Sequence, residues 1–114
     1  MNLNDLLKRL DQAPDTVEFA DTIGVIDALY EFTPTQFRNG DLLSEAGQNS
    51  GSCKIFSFAL LNGLTQQQTL NCFGAYYRED VLKNPAGSDH QNIRNFMKTA
   101  WAGVAFDGTA LRPK

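Results

Sequence analysis

The chain has 114 residues, enough for one domain over residues 1–114 and too few for two that could each bury a core. Hydrophobic residues make up 42% of it, with eight Phe, three Tyr and one Trp among them, which suffices to fill such a core. The net charge of −3 is spread over interspersed acids and bases, which excludes a polyelectrolyte tail and the basic footprint that a nucleic-acid partner requires.

The two cysteines, Cys53 and Cys72, lie in apolar stretches and read as reduced, buried thiols rather than a single Cys53–Cys72 bridge. A secreted domain of this size would carry a denser disulfide framework. The residues Met1 to Arg9 show no basic segment followed by an apolar one, so no classical signal peptide is expected. The longest apolar run, Ile55 to Leu61, falls far short of the ~20 residues of a membrane span. Neither a membrane nor a nucleic acid is an expected partner, and the chain reads as soluble and cytoplasmic, a monomer or weak dimer.

Leu3, Leu6, Leu7 and Leu10 form one stripe of a short helix capped by Asn2, with Asp5 favourably placed in its first turn. Ala13-Pro14-Asp15 ends it. Asp15 and Glu18 have the spacing of a capping box for a second helix whose apolar side is Phe19, Ile23, Ile26 and Tyr30. Gly24 inside it suggests a close helix crossing, and Thr33-Pro34 ends it. Thr35–Arg38 and Asp41–Ser44 flank Asn39-Gly40, the pattern of a tight hairpin with a two-residue turn. Two strands alone are marginal, so the short apolar run Gly103–Phe106 is expected to add a third.

Ser52 reads as the N-cap of a helix from Cys53 to Leu61 that is apolar all round and therefore central, closed by Asn62-Gly63. Thr65-Gln-Gln-Gln68 is a capping box opening the longest helix, with Leu70, Phe73, Tyr77 and Val81 inward and Asn84-Pro85 at its end. Ser88-Asp-His-Gln91 has the same form before a last helix with Ile93, Phe96, Met97 and Trp101 in its stripe. Thr109 to Lys114 reads as a loosely held tail. The fold expected is α+β and predominantly helical, with about five helices around a buried central one and a two- or three-stranded antiparallel element.

Two residues carry most of the chemical interest. His90 sits at a helix start, where the dipole favours the neutral imidazole, a form suited to a general base. Cys53 falls in the first turn of its helix, where the dipole favours thiolate and the small residues before it leave backbone N–H groups approachable. Together they are the candidate catalytic pair. Asn49, Ser52, Lys54, Asp89 and Arg94 are candidate binding residues around them, with Tyr77 and Arg78 as a weaker aromatic and charged patch. Each also has a purely structural reading: a thiol filling the core, a capping Asp89–His90 pair, an arginine neutralising a carboxylate. One histidine and two separated cysteines make no zinc set, and no phosphate loop, nucleophile elbow or dinucleotide fingerprint is present. No metal and no cofactor is expected.

Three stretches are more specific in combination. They are Phe32-Thr-Pro-Thr-Gln-Phe-Arg-Asn-Gly40, Gln48-Asn-Ser-Gly-Ser-Cys-Lys-Ile-Phe56, and Thr69–Leu82 followed by Asp89–Phe96. In that order and spacing, from about Val17 to Leu111, the chain resembles the HopJ type III effector family. The resemblance implies a bacterial protein of the cytoplasm, open to delivery into a host cell by a type III secretion system, and carries no activity or catalytic set with it. One departure is Thr99-Ala-Trp-Ala-Gly103, where glycine is expected before Trp101; a change of packing alone is anticipated there. Two functions remain open. One is an interaction module acting on another protein, a host target or a bacterial partner. The other is a small enzyme or anion-binding protein using Cys53, His90 and Arg94.

Overall fold

The computed structural model describes residues 1–114. Helix α1 (Leu3–Gln12) starts as anticipated: the Asn2 side chain accepts from the Asp5 N–H at 2.8 Å, and Leu6 and Leu10 are buried. A 3₁₀ turn at Pro14–Thr16 leads to α2 (Phe19–Leu29). Its cap is Glu18, not Asp15, and the Asp21 carboxylate accepts from the Glu18 N–H at 3.1 Å. Tyr30 does not extend this helix. Tyr30–Phe32 becomes strand β1, because alternating burial there serves a pairing with the far end of the chain.

Strands β2 (Phe37–Asn39) and β3 (Leu42–Ser44) form the hairpin, with the turn one residue later than its Asn-Gly signal suggests. Asn39 pairs with Leu42, so Gly40 and Asp41 are the central residues, and only Gly40 has positive φ, at 63°. Gly-first with a single positive φ is the type II′ pattern, which releases Asn39 from the turn into the buried end of the strand. Strand β4 (Val104–Phe106) pairs with β2 as expected and completes a three-stranded antiparallel sheet of order β3-β2-β4. The carboxy-terminal tail departs from expectation. Leu111–Pro113 is strand β5, antiparallel to β1, and Ala110 and Leu111 are buried, so apolar burial ties the end down.

Helix α3 (Ser50–Leu61) is central: Cys53, Ile55, Phe56, Phe58 and Ala59 are all buried. Its N-cap is Asn49 rather than Ser52. The expected longest helix is interrupted. Helix α4 (Gln66–Asn71) opens with the Thr65–Gln68 capping box, turns at Cys72–Gly74, and resumes as a π-helical segment, Tyr76–Val81. There Leu82 N–H donates five residues back to Tyr77 O at 2.9 Å. The extra residue per turn keeps Tyr77 and Val81 in the core while Tyr76 and Asp80 face outward. Gly24 has open space where a Cβ would stand, so it marks no helix crossing.

Helix α5 (Gln91–Thr99) starts at His90 without the expected capping box; Gln91 Nε2 donates to Ser88 O at 2.6 Å instead. Met97 is exposed, and Trp101 lies beyond the helix in the 3₁₀ turn Ala100–Gly103, donating its indole N–H to Leu64 O at 3.2 Å. No helix is long and apolar enough to cross a membrane.

The Ala100 departure is more than a packing change. Its backbone takes φ 51° and ψ −146°, a region that glycine enters freely and a Cβ makes costly. Ala100→Gly is therefore expected to stabilise the protein by about 1 kcal/mol, relief of strain outweighing the added freedom of the unfolded chain. Urea unfolding of the two variants, with equal m-values, measures it.

Candidate functional site

The starts of α3 and α5 meet at one half-open cleft of about 430 Å³. Asn49, Gly51 and Ser52 come from the first, and His90, Gln91, Asn92 and Ile93 from the second. Phe19, Leu42, Phe73 and Tyr76 supply apolar wall. Both helices begin in the same uncommon way. Their N-caps, Asn49 and His90, have left-handed backbones at φ 51° and 50°, and neither start has a side-chain cap. The first-turn N–H groups of a helix have no acceptor inside it, so both dipole ends are left open beside the cleft.

The Asn49 side chain is turned away to anchor the loop, its Nδ2 donating to Ser44 Oγ at 2.9 Å. Gly51 leaves room for the Phe19 ring, whose Cζ would lie 2.9 Å from a Cβ at that position. Phe19 in turn meets Tyr76 edge-on at 5.1 Å, and Tyr76 meets the His90 ring at 5.1 Å. His90 Nε2 lies 3.0 Å from Asp80 Oδ2.

A buried polar network holds α5 against the hairpin. Asn39 Nδ2 donates to Asn92 O at 2.7 Å and to Asn92 Oδ1 at 3.1 Å. Asn95 Nδ2 donates to Asn39 O and to Asp41 Oδ1, each at 3.0 Å. These contacts favour one arrangement of their elements, because a slipped register would leave the buried amide donors unpaired, while Asn39 Oδ1 is buried without a hydrogen-bond partner. The sequence placed Asn39 in the hairpin turn and did not single out Asn92 or Asn95. Their signal was available as Asn92 and Asn95, polar residues three apart within the helix stripe.

The candidate residues are distributed as follows. Asn49, Ser52 and His90 line the cleft. Cys53 does not; it is buried, its thiol 3.6 Å from Thr35 O, and burial pushes its pKa up, against the lowering expected from the dipole. Lys54 points elsewhere, pairing with Asp27 at 2.8 Å and lying 5.1 Å from the Phe32 ring centre. Arg94 is buried behind the helix start. Its Nε donates to Asp89 O at 2.6 Å, Nη1 to Asn84 O at 3.0 Å and Nη2 to Asp89 Oδ1 at 2.5 Å, which closes the 84–89 loop and holds the Asp89 carboxyl below its ordinary range. Tyr77 is core, its hydroxyl accepting from Gln67 Nε2, and Arg78 donates to Pro14 O and Val17 O, fastening the π-helical segment to the α1–α2 connection.

Both cysteines are free. Burial takes Cys72 from the ordinary 9.0 up to about 12, which cuts its thiolate fraction roughly thousandfold at neutral pH. Iodoacetamide at pH 7 is expected to modify neither thiol of the native protein on the timescale that labels both after unfolding. Mass spectrometry of the quenched mixture reads this directly, and fast labelling of Cys53 alone would return it to the list of reactive groups.

The family model described as HopJ type III effector protein matches residues 3–111. The chain belongs to the HopJ family. A crystal structure of a protein of unknown function, VPA0580, is 51% identical to it, with a TM-score of 0.98 over 100% of this chain and 95% of the other. No curated protein matches significantly. Of the three HopJ-like stretches, 48–56 and the 89–96 part of the last supply the cleft's polar lining, and the 69–82 part of the last supplies Phe73 and Tyr76. The first stretch, 32–40, contributes Asn39 beneath the α5 start.

Proposed function

We propose that this HopJ protein is a non-catalytic interaction module that grips a carboxylate-bearing, partly aromatic segment of a partner protein in the α3–α5 cleft. The observation that carries the reading is the convergence of two open helix starts on one apolar-walled cleft. Backbone N–H groups there are donors without internal acceptors, and an anionic oxygen is the partner they favour. Phe19, Phe73 and Tyr76 offer a surface for a ring or alkyl group next to that oxygen, and Tyr76 is 44% exposed at the rim. A binding role fits better than hydrolysis or group transfer, because the thiol is withdrawn into the core and the lone histidine is engaged by Asp80. The family description supports a partner in a host cell, reached through type III secretion from the bacterial cytoplasm.

N-acetylphenylalanine is a minimal probe of this chemistry, carrying one carboxylate and one ring. In ¹H–¹⁵N spectra it is expected to shift the amides of residues 50–52 and 91–93 in a saturable way, while N-acetylphenylalanine amide, which lacks the charge, has little effect. Equal shifts from the two compounds, or shifts confined to other residues, would sink the reading.

A further inference from the structure

Asp80, Asp89 and His90 form a second constellation at the edge of the cleft, one that carboxylate binding does not use. Asp80 comes from the π-helical segment, and Asp89 and His90 from the start of α5. His90 Nε2 lies 3.0 Å from Asp80 Oδ2 and 3.8 Å from Asp89 Oδ2, and one donor atom from each of the three residues falls within 4.8 Å of the other two. A tetrahedral ion bound at ~2.1 Å separates its ligand atoms by about 3.4 Å. The two separations from His90 Nε2 bracket that value.

The surroundings also orient the ligands. Arg94 Nη2 holds Asp89 by Oδ1, which leaves Oδ2 as the oxygen nearer His90. An outer partner on the far atom of a carboxylate or imidazole is how metal ligands are held in place. The Tyr76 ring, 5.1 Å from the imidazole, restricts His90 from its face. A simple ion pair with His90 would need one carboxylate, whereas two are gathered here, on separate elements.

We propose that Asp80, Asp89 and His90 bind a divalent first-row transition cation such as zinc. One imidazole nitrogen with two carboxylate oxygens suits zinc or manganese better than calcium or magnesium, whose sites are built from oxygens alone. Three protein ligands leave coordination open for a further group. The inference is independent of the carboxylate-binding reading, since it concerns different atoms.

His90 is the one histidine in the chain, so imidazole ¹H–¹⁵N spectra of untagged protein report on it alone. Zinc chloride added at neutral pH is expected to perturb these resonances saturably below millimolar concentration, and magnesium chloride at the same concentration to leave them unchanged. The Asp80 side chain makes no hydrogen bond besides that to His90, so Asp80→Asn should keep the fold, with an unchanged zinc-free melting curve. By calorimetry it should weaken zinc at least about tenfold, comparable to or beyond the loss of an outer-shell partner. An imidazole spectrum indifferent to zinc, or full zinc affinity in Asp80→Asn, overturns the proposal. N-acetylphenylalanine titrations in zinc-free buffer are unaffected by either result, so the two readings stand or fall separately.

Discussion

Replacing Gly74 by alanine is expected to destabilise the protein by about 3 kcal/mol or more, through two separable causes. Gly74 sits at the break between α4 and the π-helical segment with φ 61°, a conformation that costs a Cβ-bearing residue about 1 kcal/mol. A Cβ there would also stand 2.6 Å from the backbone N of Phe19 and 3.1 Å from the Glu18 carbonyl carbon. Backbone cannot rotate out of the way as a side-chain end can, so α2 or the turn must move. Gly63 is the internal control. Its φ is 64° and no atom lies within 4 Å of its would-be Cβ, so Gly63→Ala should carry the strain of about 1 kcal/mol without the clash. Urea denaturation of the two variants should thus differ by about 2 kcal/mol; equal losses would show that close approach contributes nothing. Because Phe19 lines the cleft, Gly74→Ala should also displace the amide resonances of residues 50–52.

The same turn shows where the sequence stops being legible. The capping signals at Asn2 and Thr65 were readable because each acts within four residues and needs no distant partner. The hairpin was readable for the same reason, through its turn chemistry, and the third strand was readable as a short apolar run although its partner lies over sixty residues away. The break at Cys72–Gly74 was not. Periodicity runs on through Leu70, Phe73, Tyr77 and Val81, and what bends the chain is α2 passing against Gly74 from over fifty residues away. The tail was misjudged similarly, since Leu111 gains its place only from β1 and the core. At the cleft, the two helix starts could be named from Asn49–Ser52 and His90–Ile93, but their meeting depends on the Asn39–Asn92–Asn95 network, which joins residues over fifty apart. Cys53 was drawn toward chemistry by its place in a first turn, yet its side chain points inward, and burial decides its pKa. Asp80 and His90 were ten residues apart on different elements, a spacing that suggests no metal set until the π-helical segment turns Asp80 outward.

Phe56→Ala is expected to be the most damaging single truncation, at about 4 kcal/mol. Phe56 is fully buried at the middle of α3, and its ring lies 4.9 Å from Phe96, 5.6 Å from Phe73, 6.1 Å from Phe37 and 6.3 Å from Trp101. It thus joins the three-stranded sheet, α5 and the α4 turn, and no single neighbour can close the hole that its loss would leave. A thermal midpoint lower by about 15 °C is the expected readout for a domain of this size. Phe56→Leu should lose much less, roughly 1.5 kcal/mol, since most of the volume remains. The effect should reach the cleft even though Phe56 does not line it. Phe73 packs on Phe56 with one side and forms cleft wall with another, so a cavity at 56 lets that wall sink inward. N-acetylphenylalanine should then bind Phe56→Ala less tightly than Phe56→Leu at a temperature where both are folded. Equal binding would show that the cleft is held by the asparagine network alone, with the aromatic core setting stability and not the shape of the site.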